Sequence, residues 1–155
     1  MDLSDLIAKN AIIPALKATS KKQVLQLLAD KAAQLTGIDA ELINTTITQR
    51  EKLGSTGVGN GIAIPHGKLA NLTKVIGIFA RLAHSVDYEA LDDQPVDLVF
   101  LLLAPEAAGA DHLKALSRIA RLLRDQDIVM KLRSTNDEKA LRCFICDDRS
   151  SDAAA

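Results

Sequence analysis

Two histidines and one arginine stand out by their settings. In GSTGVGNGIAIPHGK, residues Gly54 to Lys68, a single histidine lies in a stretch that holds five of the chain's eight glycines. Pro65 fixes the backbone before His66, and Gly67 lets a ligand approach the backbone after it. An imidazole near neutral pH keeps one unprotonated nitrogen, so His66 can act as a base, a metal ligand or a nucleophile toward phosphorus. Residue types alone leave these three open, and a strand-end histidine behind a plain connecting loop is the bland alternative. Arg50, one turn before the loop, offers a fork of donors to phosphate oxygens. Backbone amides at Gly61 and Gly67, with the hydroxyls of Ser55 and Thr56, can also face an anion. His112, in GADHLKAL, falls in the first turn of a helix, where free N–H groups and the positive helix end favour a phosphoryl group. Its bland alternative is an exposed histidine that assists capping. His84, in RLAHSVDY, has no such setting and reads as a surface residue.

Other chemistries fail on spacing. The glycine stretch follows a helix and precedes a strand, the reverse of a dinucleotide-binding turn, and no G-x-x-x-x-G-K-[ST] is present. There is no H-E-x-x-H and no G-x-S-x-G. Cys143 and Cys146 form one C-F-I-C pair, too few for a disulfide framework and without further ligands nearby for zinc, so they read as reduced thiols packed on one helical face.

The elements that must position these residues follow from periodicity. Ser20 caps a helix whose apolar stripe, Val24, Leu25, Leu27, Leu28, Ala32 and Leu35, stops at Gly37. Asp39 caps a second helix through Ile43, Ile47 and Arg50 to a stop at Gly54, where the loop begins. GIAIP, KVIGIFARL and PVDLVFLLLAP read as strands, the last apolar almost throughout and therefore central and covered on both faces. A third long helix starts near Asp111, with Leu113, Leu116, Ile119, Ala120 and Leu123 as its stripe, and shorter helices follow around 128–132 and 138–145. Helices on both sides of the strands in sequence imply a layered α/β domain. The tail from residue 148 to 155 has no apolar period and is expected to be disordered, leaving one domain over 1–147.

The 155 residues carry 19 basic and 20 acidic side chains, a net charge of −1 that argues against nucleic-acid binding. No apolar run reaches the roughly 20 residues of a membrane span, and MDLSDLIAKN lacks the positive charge of a signal peptide, so a cytoplasmic protein is expected.

The string TQREKLGSTGVGNGIAIPHGK, continued by LDDQPVDLVFLLLAP and DHLKALSRIARLL, resembles phosphotransferase-system IIA components of the mannitol/fructose class over almost the whole chain. GSTGVGNGIAIPHGK and DHLKALS resemble the nitrogen-related branch most, and no fused carrier, IIB or IIC segment lies within these residues. The resemblance implies a mixed parallel and antiparallel sheet flanked by helices on both sides. It implies that His66 is phosphorylated at Nε2 by an HPr-like phosphocarrier (NPr), itself charged by an enzyme I (enzyme I-Ntr) from phosphoenolpyruvate. Arg50 matches the signature arginine and His112 the second histidine. No cofactor is implied, since positioning and charge stabilisation suffice for phosphoryl transfer. Potassium transporters and sensor kinases are the regulated partners implied; the alternative is a fructose- or mannitol-specific component passing phosphate to a IIB domain. Leu53, Val58, Ile62 and Leu113 are near enough in sequence to rim such a site, with core packing as the competing role for Ile62 and Leu113.

Overall fold

A computed structural model of the chain describes residues 3–146; the expected disordered tail lies outside the described residues. Strand β6, Val96–Pro105, is the spine. Every side chain from Leu98 to Ala104 is inaccessible to solvent, so both faces of this strand are covered, as its unbroken apolar run requires. Strand β5, Ile76–Val86, runs antiparallel along one edge of β6, and β1, Ile7–Leu16, runs parallel to β5 beyond it. The other edge of β6 is shared by two short parallel strands in succession, β3 at Ile62–Ala63 and β4 at His66–Leu69, with β2 at Gly57–Gly59 antiparallel to β3. The sheet is therefore mixed, in the order β1-β5-β6-β3-β2 with β4 also on β6.

The helices are α1, Leu3–Leu6; α2, Lys21–Thr36; α3, Ala40–Leu53; α4, Ala110–Arg124; α5, Gln126–Ser134; and α6, Glu138–Cys146. The Ser20 hydroxyl accepts from the Gln23 amide at 3.2 Å, and Gly37 ends α2 in the left-handed conformation, both as the sequence predicts. Asp39 does occupy the position before α3, but its side chain makes no capping hydrogen bond. On α4 the buried residues are His112, Ala115, Ile119, Leu122 and Leu123, so the apolar face is turned by about one residue from the expected stripe and Leu113 is exposed. On α6, Leu141 and Ile145 face inward; Cys143 is exposed and Cys146 half-buried, so the thiols are not jointly packed.

Strand β1 has no counterpart in the sequence reading. Its burial does not alternate, Asn10 is left-handed, Pro14 lies within it, and its register on β5 shifts twice. Each irregularity removes the period of two by which a strand is recognised. GIAIP also behaves differently: the ladder breaks at Ile64 and Pro65, and His66 opens a new strand rather than ending one.

Phe100, fully buried at the centre of β6, packs against Phe79 with ring centroids 6.1 Å apart. Phe100→Ala is expected to cost about 3–5 kcal/mol in urea unfolding, whereas the exposed Leu91→Ala should change stability by less than about 0.5 kcal/mol.

Candidate active site

Helix α3 buries Ile43, Ile47 and Glu51 on one stripe. The adjacent stripe, Thr46, Gln49, Arg50 and Leu53, lines a shallow cleft of about 500 Å³. Strand β4 supplies the facing wall. His66 and Lys68 alternate with Gly67 and so share one face of the strand, and both reach the cleft. The first turn of α4 closes it with His112. Parallel pairing of His66 with Leu102 ties the histidine to the spine, and the Leu102 amide donates to the Pro65 carbonyl at 2.9 Å.

His66 is half-buried and held at both ring nitrogens. Nδ1 lies 3.0 Å from the Ile64 carbonyl oxygen, which can only accept, so Nδ1 carries the proton. Arg50 Nε donates to Nε2 at 3.2 Å, and a guanidinium can only donate, so Nε2 carries a lone pair. Arg50 is itself anchored by an Nη1 hydrogen bond to the Gly54 carbonyl at 2.9 Å. The His112 ring is centred 5.7 Å from that of His66 at a tilt of 49°. It is 8% exposed, and its Nε2 is buried without a hydrogen-bond partner among the described residues. A buried polar atom left unpaired is costly, and here it belongs to the ring that faces His66. Burial above all holds the His112 pKa below the ordinary histidine range, and the facing His66 and Lys68 push it the same way.

The structure thus brings Arg50, His66, Gly67 and His112 together. It places Ser55, Thr56 and Gly61 elsewhere. The Ser55 hydroxyl donates to the Tyr88 carbonyl and accepts from the Gly57 amide, shaping the turn. Thr56 is buried, its hydroxyl donating to the Glu51 carboxylate. Gly61 precedes the Ile62–Leu98 pair, while His66 pairs with Leu102, a separation of roughly 13 Å along β6. A side chain at Gly61 would strike the Arg133 guanidinium and the Asp97 carboxylate, which pair there at 2.9 Å. Leu53 and Leu113 are exposed beside the cleft and its neighbouring groove, whereas Ile62 is core and Val58 lines a separate hollow with it.

Sequence reasoning missed Thr46, Gln49 and Lys68, although helical spacing from Arg50 and strand spacing from His66 would have found them. It also missed a buried cluster behind Arg50. Glu51 accepts from the Thr56 amide at 3.0 and 3.1 Å and from the Tyr88 hydroxyl at 3.1 Å, with Lys21 Nζ at 3.7 Å. Burial first, and then the Glu51 charge, push the Tyr88 pKa up, so the phenol stays a donor.

Among the described residues no three His, Cys, Asp or Glu side chains converge as metal ligands. Two imidazoles, a guanidinium and an ammonium make the cleft a place for an anion. Among the same residues no helix is long and apolar enough to cross a membrane.

Comparison with known proteins gives a consistent picture. Residues 5–147 match the family described as phosphoenolpyruvate-dependent sugar phosphotransferase system, EIIA 2. A nitrogen regulatory protein of Bradyrhizobium diazoefficiens is 63% identical over 141 residues, covering 91% of this chain and 92% of that protein. The crystal structure of the nitrogen regulatory protein IIA-Ntr from Neisseria meningitidis superposes with a TM-score of 0.87 at 30% identity, covering 92% of this chain and 98% of that one. The crystal structure of IIA mannitol from Escherichia coli shares the fold at a TM-score of 0.76 and 20% identity, covering 89% and 97%.

A Cβ at Gly67 would come within 2.9 Å of Thr46 Cγ2, forcing α3 away from β4. Gly67→Ala should therefore destabilise the chain by about 1–3 kcal/mol in denaturant unfolding; an unchanged midpoint would contradict this close approach. His112 gives a pH signature. Because its folded pKa is depressed, the unfolded chain binds a proton that the folded chain refuses. The stabilisation is complete above the ordinary histidine range and is lost as pH falls through it toward the lower folded value. Thermal unfolding between about pH 7.5 and about pH 5 should show a midpoint that falls on acidification, and falls less in His112→Gln.

Proposed function

This chain belongs to the phosphoenolpyruvate-dependent sugar phosphotransferase system EIIA 2 family, and on that premise we propose that it is a phosphoryl carrier with His66 as acceptor, acting as a regulator of the nitrogen-related type. The donor is a phosphohistidine on an HPr-like carrier, charged from phosphoenolpyruvate by an enzyme I. The observation that carries the reading is the tautomer: Nε2 of His66 holds a lone pair toward an open, cationic cleft, with Nδ1–H committed to the Ile64 carbonyl.

The transfer needs no proton removal. The Nε2 lone pair attacks phosphorus in line, the new N–P bond forms, and the donor's N–P bond breaks with its electron pair returning to the donor imidazole. Positive charge that develops on the His66 ring is relieved by its Nδ1–H hydrogen bond to the Ile64 carbonyl. Arg50 Nε–H, on Nε2 at rest, moves its donors to the phosphoryl oxygens as the lone pair is used. His112, neutral in the resting site, gains a proton once a dianionic group lies beside it and supplies the bond that its Nε2 lacks. Leucines 53 and 113, exposed beside the site, suit a donor protein that must reach it.

Phosphorylation adds roughly two negative charges to this surface and so changes which partners dock there. Identity of 63% to a nitrogen regulatory protein favours a nitrogen-related regulatory role over a sugar-specific one in which the group passes to a IIB domain; potassium metabolism, through potassium transporters or sensor kinases, is the further target we propose.

Intact mass after incubation with phosphoenolpyruvate, enzyme I and an HPr-like carrier tests the relay. One acid-labile phosphoryl group is expected on the native chain and none on His66→Ala, with Arg50→Ala slowed by about a hundredfold. An unmodified native chain in the presence of a demonstrably charged cognate carrier would overturn the reading.

A further inference from the structure

The Glu51 carboxylate takes no part in the chemistry above, yet it lies one residue from Arg50 and is buried. We propose that Glu51 is a positioning residue for Arg50: its carboxylate closes the turn that holds the Gly54 carbonyl against the guanidinium, and so sets the Arg50 donor on His66 Nε2. The proposal rests on His66 as phosphoryl acceptor and adds to that reading a residue outside the cleft.

The turn from 51 to 56 is closed twice by Glu51. Its backbone carbonyl accepts from the Gly54 amide at 3.1 Å, and its carboxylate accepts from the Thr56 amide and hydroxyl. Gly54 lies between these anchors, and its carbonyl is the only hydrogen-bond partner of Arg50 other than His66 among the described contacts. Lys52, Leu53 and Gly54 are exposed, with Leu53 84% accessible, so packing does not hold this segment. Glu51 is gripped in turn from distant parts of the chain. The Tyr88 hydroxyl donates to it, and Lys21, whose Nζ also lies 4.7 Å from the Tyr88 ring centroid, pairs with it. An ionised carboxylate this deeply buried is retained only when its acceptor sites are filled, and filling them draws the turn inward. A neutral amide in its place accepts through one oxygen and faces the Thr56 and Tyr88 donors with donors of its own.

The test crosses Glu51→Gln with Arg50→Ala and reads two signals. In the native background Glu51→Gln should slow phosphoryl transfer from the carrier by about ten- to hundredfold, while in the Arg50→Ala background it should add little to the loss already present. In the unphosphorylated protein, the Arg50 Nε–H resonance in a nitrogen–proton correlation spectrum should be protected from solvent exchange in the native chain and lose that protection in Glu51→Gln. Thermal unfolding shows that each variant is folded. Should Glu51→Gln not fold, Tyr88→Phe, which removes one donor and keeps the carboxylate, is read in the same two ways. An equal slowing in both backgrounds, or an unchanged Arg50 signal, would overturn the proposal. If the native chain accepts no phosphoryl group at all, the functional reading fails, and the Arg50 resonance alone decides whether Glu51 positions the guanidinium.

Discussion

A carboxylate removed from water must find donors, and in this protein that requirement organises the end of α3. Glu51 continues the buried stripe of Ile43 and Ile47 where an apolar residue would ordinarily stand. Its charge is accommodated because the chain turns back on itself to present Thr56, and because Tyr88 and Lys21 arrive from β5's outgoing loop and from the start of α2. Breaking such a buried set by removing one partner costs about 3–5 kcal/mol, so the turn after α3 has little freedom. The glycine-rich stretch is thereby not a slack connection. It leaves α3 through a fixed turn, makes the short β2–β3 hairpin and reaches β4 in register with the spine.

The spine converts that local order into a site. β3 and β4 share one edge of β6, and the break between them at Ile64 and Pro65 turns the Ile64 carbonyl toward the His66 ring instead of into the ladder. One interruption of a strand therefore selects the tautomer. The same strand, β6, leads out to α4, whose first turn buries His112 next to His66. Residues 50, 66 and 112 meet because two helices end or begin at the same end of one buried strand.

Cations and imidazoles line the cleft, and Glu51, the acidic residue next to Arg50, is turned inward and saturated. A lone pair on His66 Nε2, an unsatisfied nitrogen on His112 and the Arg50 guanidinium match what the proposed phosphoryl group offers, phosphorus as an electrophile and oxygens as acceptors. Openness suits the proposed transfer, in which a group carried on another protein's histidine is brought to the surface of this one.

Much of this was legible along the chain. The two long helices around Gly37, the buried run of β6 and the settings of His66, Arg50 and His112 are local properties: caps, apolar periods, a proline and glycines around one imidazole. The Nδ1–H contact with Ile64 is likewise short in sequence. What only the tertiary structure decided depends on segments far apart. Strand β1 carries bulges that erase its period and is a strand because β5 offers it a partner. The rotation of α4 that buries His112 and exposes Leu113 is set by what lies beneath it, not by its own composition. Thr56 and Gly61 resemble phosphate ligands by residue type alone, yet Tyr88, 32 residues on from Thr56, and Arg133, packed over Gly61, claim their places for the framework. A hydroxyl or a bare amide has no fixed role in a sequence, because the partner that satisfies it is chosen by packing.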